Sequence, residues 1–261
     1  MVIRGQVAVS TIDYLFSSMA SSQAQFDSLA NNSLSRGIDL YLRKEYERAV
    51  RSFKSAAGLS PFSDNAAKAY DYMAKAYLKQ NKTGEAIKVY KEAIKIYPTR
   101  DNFHLSLGDI YYKNGQGTGA EAEYRQAVNL NPGSIDNRYA LGQVYVDTDR
   151  LAEAQEQFKK VAALAPGSPI GHYGLGQVAR KAGDLNGAIV RLQRAIAVDR
   201  RFDNAYLELG YAYVDKGDPE KARRQAEILS YRQSPAFVKL RNYMNQGQLA
   251  AIAGAFKGLY V

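Results

Sequence analysis

Few residues in this chain have types that could do chemistry, and each sits where a structural role explains it. The stretch "NGQGTG" sets Gly115, Gly117 and Gly119 at alternate positions, a spacing able to cradle a phosphate on backbone amides. A dinucleotide-binding loop needs a preceding strand and a βαβ unit, and the pattern here supplies neither. "IGHYGLGQ", with Gly171, Gly174 and Gly176, lies inside a helical pattern. There are two histidines, His104 and His172, and both fall at an aromatic position of a helix, where an imidazole fills a packing contact. Cysteine is absent, which excludes disulfides and thiolate metal sites. With no HExxH-type pairing either, no metal or cofactor is expected. Asp147 and Asp149 in "DTDR" read as a turn, and no Ser/His/Asp order stands out from the charged surface. The chain is therefore expected not to be an enzyme.

The elements that carry these residues follow a strict frame. Ala74, Gly108, Gly142, Gly176 and Gly210 are each 34 residues apart, and so are Ala86, Ala120, Ala154, Ala188 and Ala222. Self-similarity at that period marks a stack of helical hairpins. The small residues fall where two helices cross closely, so that a larger side chain would separate the backbones. Between them "KQNKTG", "KNGQGTG", "DTDRLA", "KAGDLN" and "DKGDPE" have turn chemistry. Pro98, Pro132 and Pro166 close second helices, because proline cannot continue a helix. One slip interrupts the frame: Ala49 to Ala86 is 37 residues, and the surplus is assigned to an inserted loop in "SPFSDNAAKAY".

On these residues the chain resembles the tetratricopeptide repeat family, with six repeats over about residues 30–233. The second repeat offers Tyr70, Met73-Ala74, Tyr77, Ala86, Tyr90, Ala93 and Pro98; the third offers His104, Leu107-Gly108, Tyr111, Ala120, Tyr124, Ala127 and Pro132. The resemblance implies an all-α, right-handed superhelical solenoid of antiparallel helix hairpins. Departures concentrate late in the array. Arg200 replaces the proline of repeat five, and Ala226 stands where repeat six should carry Phe, so that hairpin is expected to be less tightly filled. Gly171 and Gly174 cost about 1 kcal/mol each relative to Ala in a helix, which would soften repeat five.

Residues 1–29 form an amphipathic helical segment with Ile12, Leu15, Phe16, Met19, Phe26 and Leu29 at helical spacing, read as packing on the first repeat in preference to a free arm. Residues 234–261 read as a capping helix, carrying Phe237, Leu240 and Met244, and an apolar tail, carrying Leu249, Ile252, Phe256 and Leu259.

The formal net charge is +9, but basic residues are interleaved with acids, as in "LRKEYERAVRSFKS" and "DPEKARRQAE". That pattern describes solvated helix faces with i,i+4 pairs rather than a phosphate track, and it disfavours nucleic acid as partner. No apolar run approaches the ~20 residues that span a bilayer, so no transmembrane segment is expected. The first residues make a poor signal peptide, because Asp13 splits the apolar stretch, and a cytoplasmic location is expected, with a place peripheral to a membrane-associated assembly as the alternative.

The resemblance implies that first helices line a concave groove. Carried over position by position, it assigns to that groove Lys75, Asn102, Asp109, Tyr112, Tyr139, Gln143, Tyr173, Gln177, Arg180, Asn204 and Tyr211. Tyrosine suits binding through its large rigid area and one hydrogen-bonding tip. The family's Lys/Asn clamp for carboxylate tails is not met, since the matching positions are Leu34, Ile38, Tyr72, Asn102 and Ser106, or Asp71, Lys75, Ser106, Asp136 and Ala140 one repeat later. The expectation is a non-catalytic interaction scaffold that takes a peptide or helix of a protein partner, with no small-molecule substrate. Its alternatives are a self-assembling scaffold that oligomerises through its terminal helices and, less favoured, a nucleic-acid-binding repeat protein.

Overall fold

A computed structural model describes residues 3–257, with side chains placed for residues 19–246. The described residues form thirteen α-helices and no strand. They are α1 (Ile3–Leu42), α2 (Tyr46–Leu59), α3 (Asp64–Lys79), α4 (Thr83–Ile96), α5 (Asp101–Lys113), α6 (Gly117–Leu130), α7 (Ile135–Asp147), α8 (Leu151–Leu164), α9 (Ile170–Lys181), α10 (Leu185–Val198), α11 (Asp203–Asp215), α12 (Pro219–Tyr231) and α13 (Ala236–Lys257). The chain divides between Gly115 and Gln116 into two compact units, one holding α1–α5 and the other α6–α13.

In each unit every helix packs on the next in sequence, and alternate helices touch as well: α1 on α3 in the first, α7 on α9, α9 on α11 and α11 on α13 in the second. Each helix buries one stripe. On α2 it is Ala49, Val50, Phe53, Ala56 and Ala57, the spacing of a single face at 3.6 residues per turn. Hairpin turns are closed by a left-handed residue at the same repeat position: Lys44, Asn81, Gly115, Asp149, Gly183 and Gly217, with φ between 57° and 81°. Gly115 therefore serves a turn, and Gly117 opens α6.

The frame glycines are notches. A Cβ on Gly37 would lie 2.5 Å from the Phe53 ring, one on Gly142 2.6 Å from Phe158, and one on Gly176 2.6 Å from Leu192. Each partner comes from the second helix of the same hairpin. In repeat six that partner would be Ala226, which is too short, and Leu240 of α13 enters the Gly210 notch instead. Leu240 is fully buried, so the hairpin expected to be loosely filled is completed by the helix after it.

The two further glycines of repeat five also serve close approach. A Cβ on Gly171 would meet the backbone of Ala162 at 2.6 Å, and one on Gly174 would strike Phe158. Both glycines let α9 approach α8 more closely than a side chain would allow.

The three surplus residues before repeat two form no loop. The link Ser60–Ser63 is no longer than the link Tyr97–Arg100, while α3 has 16 residues against 13 in α5. The extra residues add most of a turn to the start of α3. Ser63 caps it, its Oγ accepting from the Ala66 amide at 3.1 Å, and "DNAAKA" continues as good helix formers. The Ser, Pro and Asp chemistry of this stretch belongs to a helix cap and not to the expected inserted loop.

At the start of the chain α1 runs unbroken through the 29/30 boundary. Met19 (68%), Phe26 (48%) and Leu29 (52%) are exposed, Leu34 is buried, and Leu42 faces solvent. The side chains of Ile12, Leu15 and Phe16, like those of Leu249, Ile252, Phe256 and Leu259, lie outside the described residues. No helix among the described residues is long and apolar enough to cross a membrane.

Candidate interaction surface

The eleven residues assigned to the groove divide between the two units: Lys75, Asn102, Asp109 and Tyr112 in the first, the other seven in the second. In the first unit Lys75 pairs with Asp71 at 2.6 Å and lies over the Tyr72 ring at 5.7 Å. Asp71 also accepts from the Tyr90 hydroxyl at 2.9 Å. Burial first, then Asp71, pushes the Tyr90 hydroxyl far above the ordinary phenol range. Lys75 and Asp109 share a cavity of about 320 Å³ with Tyr90, Ser106 and Lys113. Asn102 and Tyr112 are exposed on α5.

In the second unit six of the seven residues converge. Gln143 on α7 donates to Gln177 on α9 at 2.8 Å, and Gln177 donates to the Tyr173 hydroxyl at 3.0 Å. Arg180 Nε donates to Glu208 Oε2 at 2.9 Å, and its Nη1 donates to Asp215 Oδ2 at 3.0 Å. The guanidinium lies 5.3 Å from the Tyr211 ring centre. Tyr211 meets the Tyr243 ring of α13 at 4.4 Å, and the Tyr243 hydroxyl donates to Asp215 Oδ1 at 2.6 Å. Asn204 stands apart and exposed near the start of α11.

Burial sorts the tyrosines. Tyr173 is only 7% exposed and sets its ring edge-on against Phe202, so it forms floor and not anchor. Tyr139 is half-buried on Phe158, and its hydroxyl is pushed up to about 12, first by burial and then by Glu208. Burial and Glu208 raise Tyr211 in the same way. Burial alone would lower Arg180, but Glu208 and Asp215 hold it above its ordinary value.

Glu208 is the residue that sequence reasoning missed. It is 8% exposed and sits at the junction of the network. The signal was present: the same repeat position carries Ser106, Ala140 and Gly174 in the preceding repeats, so a carboxylate there is out of pattern. Tyr243 was missed because α13 lies beyond the frame.

The remaining chemistry-bearing residues take structural places. His104 is buried in α5, and burial followed by Arg194 and Arg191 lowers the half-buried His172. Among the described residues no cluster of His, Cys, Asp or Glu could hold a metal ion. Many surface charges pair within one helix turn, as Lys88 does with Glu85 and Lys160 with Glu156.

A stack of helix hairpins with small-residue notches and a polar face on its first helices defines a helical-repeat protein. Family models described as "TPR repeat" match residues 74–115, 108–149 and 176–217, and "Tetratricopeptide repeat" matches 135–168, together more than half of the chain. The chain belongs to the tetratricopeptide repeat family, whose members are generally non-catalytic scaffolds. Among solved structures it is similar to a tetratricopeptide repeat protein from Parabacteroides merdae, at 17% identity and TM-score 0.73, covering 85% of this chain and 88% of that one. It is similar also to PilF of Pseudomonas aeruginosa, at 17% identity and TM-score 0.64, covering 84% and 99%. YrrB, described as a TPR protein with an unusual peptide-binding site, aligns at 23% identity and TM-score 0.54 over 72% and 94%. No curated protein matches the chain.

Proposed function

We propose that this chain is a non-catalytic interaction scaffold that holds a peptide or helix of a protein partner against its first helices, chiefly α7, α9 and α11. The observation that carries the reading is the joined polar network of Gln143, Gln177 and Arg180 beside half-buried Tyr139 and Tyr211. Its side chains are already hydrogen-bonded to one another, so less entropy is lost in ordering them when a partner binds. Tyr139 and Tyr211 supply contact area, Tyr173 the floor, and Asn204 a hydrogen-bonding edge. In the first unit Lys75, Asn102, Asp109 and Tyr112 extend the same role. Peptide binding by YrrB, a protein of the same fold, gives the mode a precedent.

The test is affinity capture from native lysate with quantitative mass spectrometry. A Gln143→Ala/Tyr211→Ala variant that keeps its melting temperature is expected to lose the partners that wild type retains, and Lys160→Ala on α8 is expected to keep them. Equal recovery by all three would sink the reading.

A second reading has its own observation. Met19, Phe26 and Leu29 are exposed apolar side chains on α1, which favours self-association through that helix. Light scattering of the full chain beside a Phe26→Ser/Leu29→Ser variant decides it: an oligomer that becomes a monomer supports it, and two identical monomers reject it.

A further inference from the structure

We propose that the face built by α7, α9 and α11 selects a cationic partner segment, a helix or extended peptide bearing Lys or Arg, and rejects an acidic one. The inference rests on the proposed role of that face and adds the charge of what it takes.

Both cations of α9 are already engaged. Arg180 is clamped between Glu208 at 2.9 Å and Asp215 at 3.0 Å. Lys181 pairs with Asp149 at 2.9 Å and donates to the Val146 carbonyl at 2.5 Å. One guanidinium between two carboxylates leaves a unit of negative charge at the centre of the face. A carboxylate accepts at about four lone-pair sites. Asp215 has taken one bond on each oxygen, from Arg180 and from Tyr243, and has capacity for an incoming donor. An incoming acid would meet Glu208, which is 8% exposed and faces Arg180 in a poorly solvated setting where like charges repel strongly.

Charge is also segregated across the unit. Helices α7, α9 and α11 carry five acids against three bases, while the second helices α8, α10 and α12 carry four acids against seven bases. A chain of net charge +9 thus turns an acidic face toward its first helices. The overall positive charge opposes a cationic partner only weakly at contact range, because charges beyond about 8 Å are screened at physiological ionic strength.

The experiment uses the full chain and two labelled amphipathic helical peptides with the same leucine face, one with lysine and the other with glutamate on the polar face. Fluorescence anisotropy at physiological salt is expected to show the lysine peptide binding at least about tenfold tighter, a difference near 1.4 kcal/mol. An Asp136→Asn/Asp215→Asn variant, which neutralises exposed Asp136 of α7 and Asp215 of α11, is expected to weaken the lysine peptide several-fold and flatten its salt dependence, measured at a temperature where circular dichroism shows variant and wild type equally folded. Equal or tighter binding of the glutamate peptide, or indifference to the two Asn substitutions, overturns the charge selection and leaves the binding face standing. If neither peptide shifts the ring signals of Tyr139 in NMR spectra, the binding face and the charge selection both fall.

Discussion

Arg180 joins the two kinds of information in this chain, since it is a groove residue by repeat position and a buried ion-pair residue by environment. Its side chain is 25% exposed and that of Glu208 11%, so removing the guanidinium strands a buried carboxylate. Arg180→Met is expected to cost about 3–5 kcal/mol, the penalty for breaking one partner out of a buried pair. Arg180→Met/Glu208→Leu removes both charges and should recover most of that loss in chemical denaturation; a double variant as unstable as the single one contradicts the assignment. Tyr139 gives a pH prediction. Its folded pKa of about 12 lies above the ordinary 10.0, so the fold prefers the neutral phenol. The associated stability is complete below pH 10 and is lost as pH rises through about 12. Tyrosinate absorbance of wild type against Tyr139→Phe should show one late-titrating ring fewer in the variant. At this scale the sequence was only half legible. Repeat position named Tyr139, Gln143, Gln177 and Arg180, but the pairings of Arg180 depend on Glu208, 28 residues further along on α11, and no spacing rule predicts which neighbour a guanidinium chooses.

Helices meet through notches, and the notches make opposite predictions for one substitution. Gly84 faces open space in α4, so Gly84→Ala should stabilise by about 0.4–1 kcal/mol through the unfolded chain. Gly171 lies against the backbone of Ala162, which cannot rotate away, and Gly171→Ala should destabilise by about 1–3 kcal/mol. Thermal melts of the two variants that move in the same direction would contradict the close approach of α9 to α8. Leu240→Ala empties the Gly210 notch, and a fully buried leucine of this kind costs about 2–5 kcal/mol when truncated. A loss below about 1 kcal/mol would mean that α13 does not complete repeat six. The hairpin order, its turns and the crossing residues were legible because period and residue size are local facts. Two features were not. The lengthened α3 escaped because Ser, Pro and Asp serve both loops and helix caps, and the plug from α13 escaped because Ala226 shows only that a side chain is missing, never which helix supplies the replacement.

For the whole molecule, the repeat frame is scaffold, and the proposed function assigns partner binding to the residues between its fixed points. The same frame that makes Gly142 and Phe158 a packing pair puts Tyr139 and Gln143 on the adjoining surface, and α7, α9 and α11 bring their polar positions into one network. In the second unit the excess of bases lies on α8, α10 and α12 and not on that face. The most direct test places a photo-crosslinking residue at Asn204, exposed on α11, and separately at Val190, 64% exposed on α10. After irradiation in native lysate, the account predicts a discrete protein adduct from position 204 and none in common from position 190. Adducts from position 190 alone would contradict it.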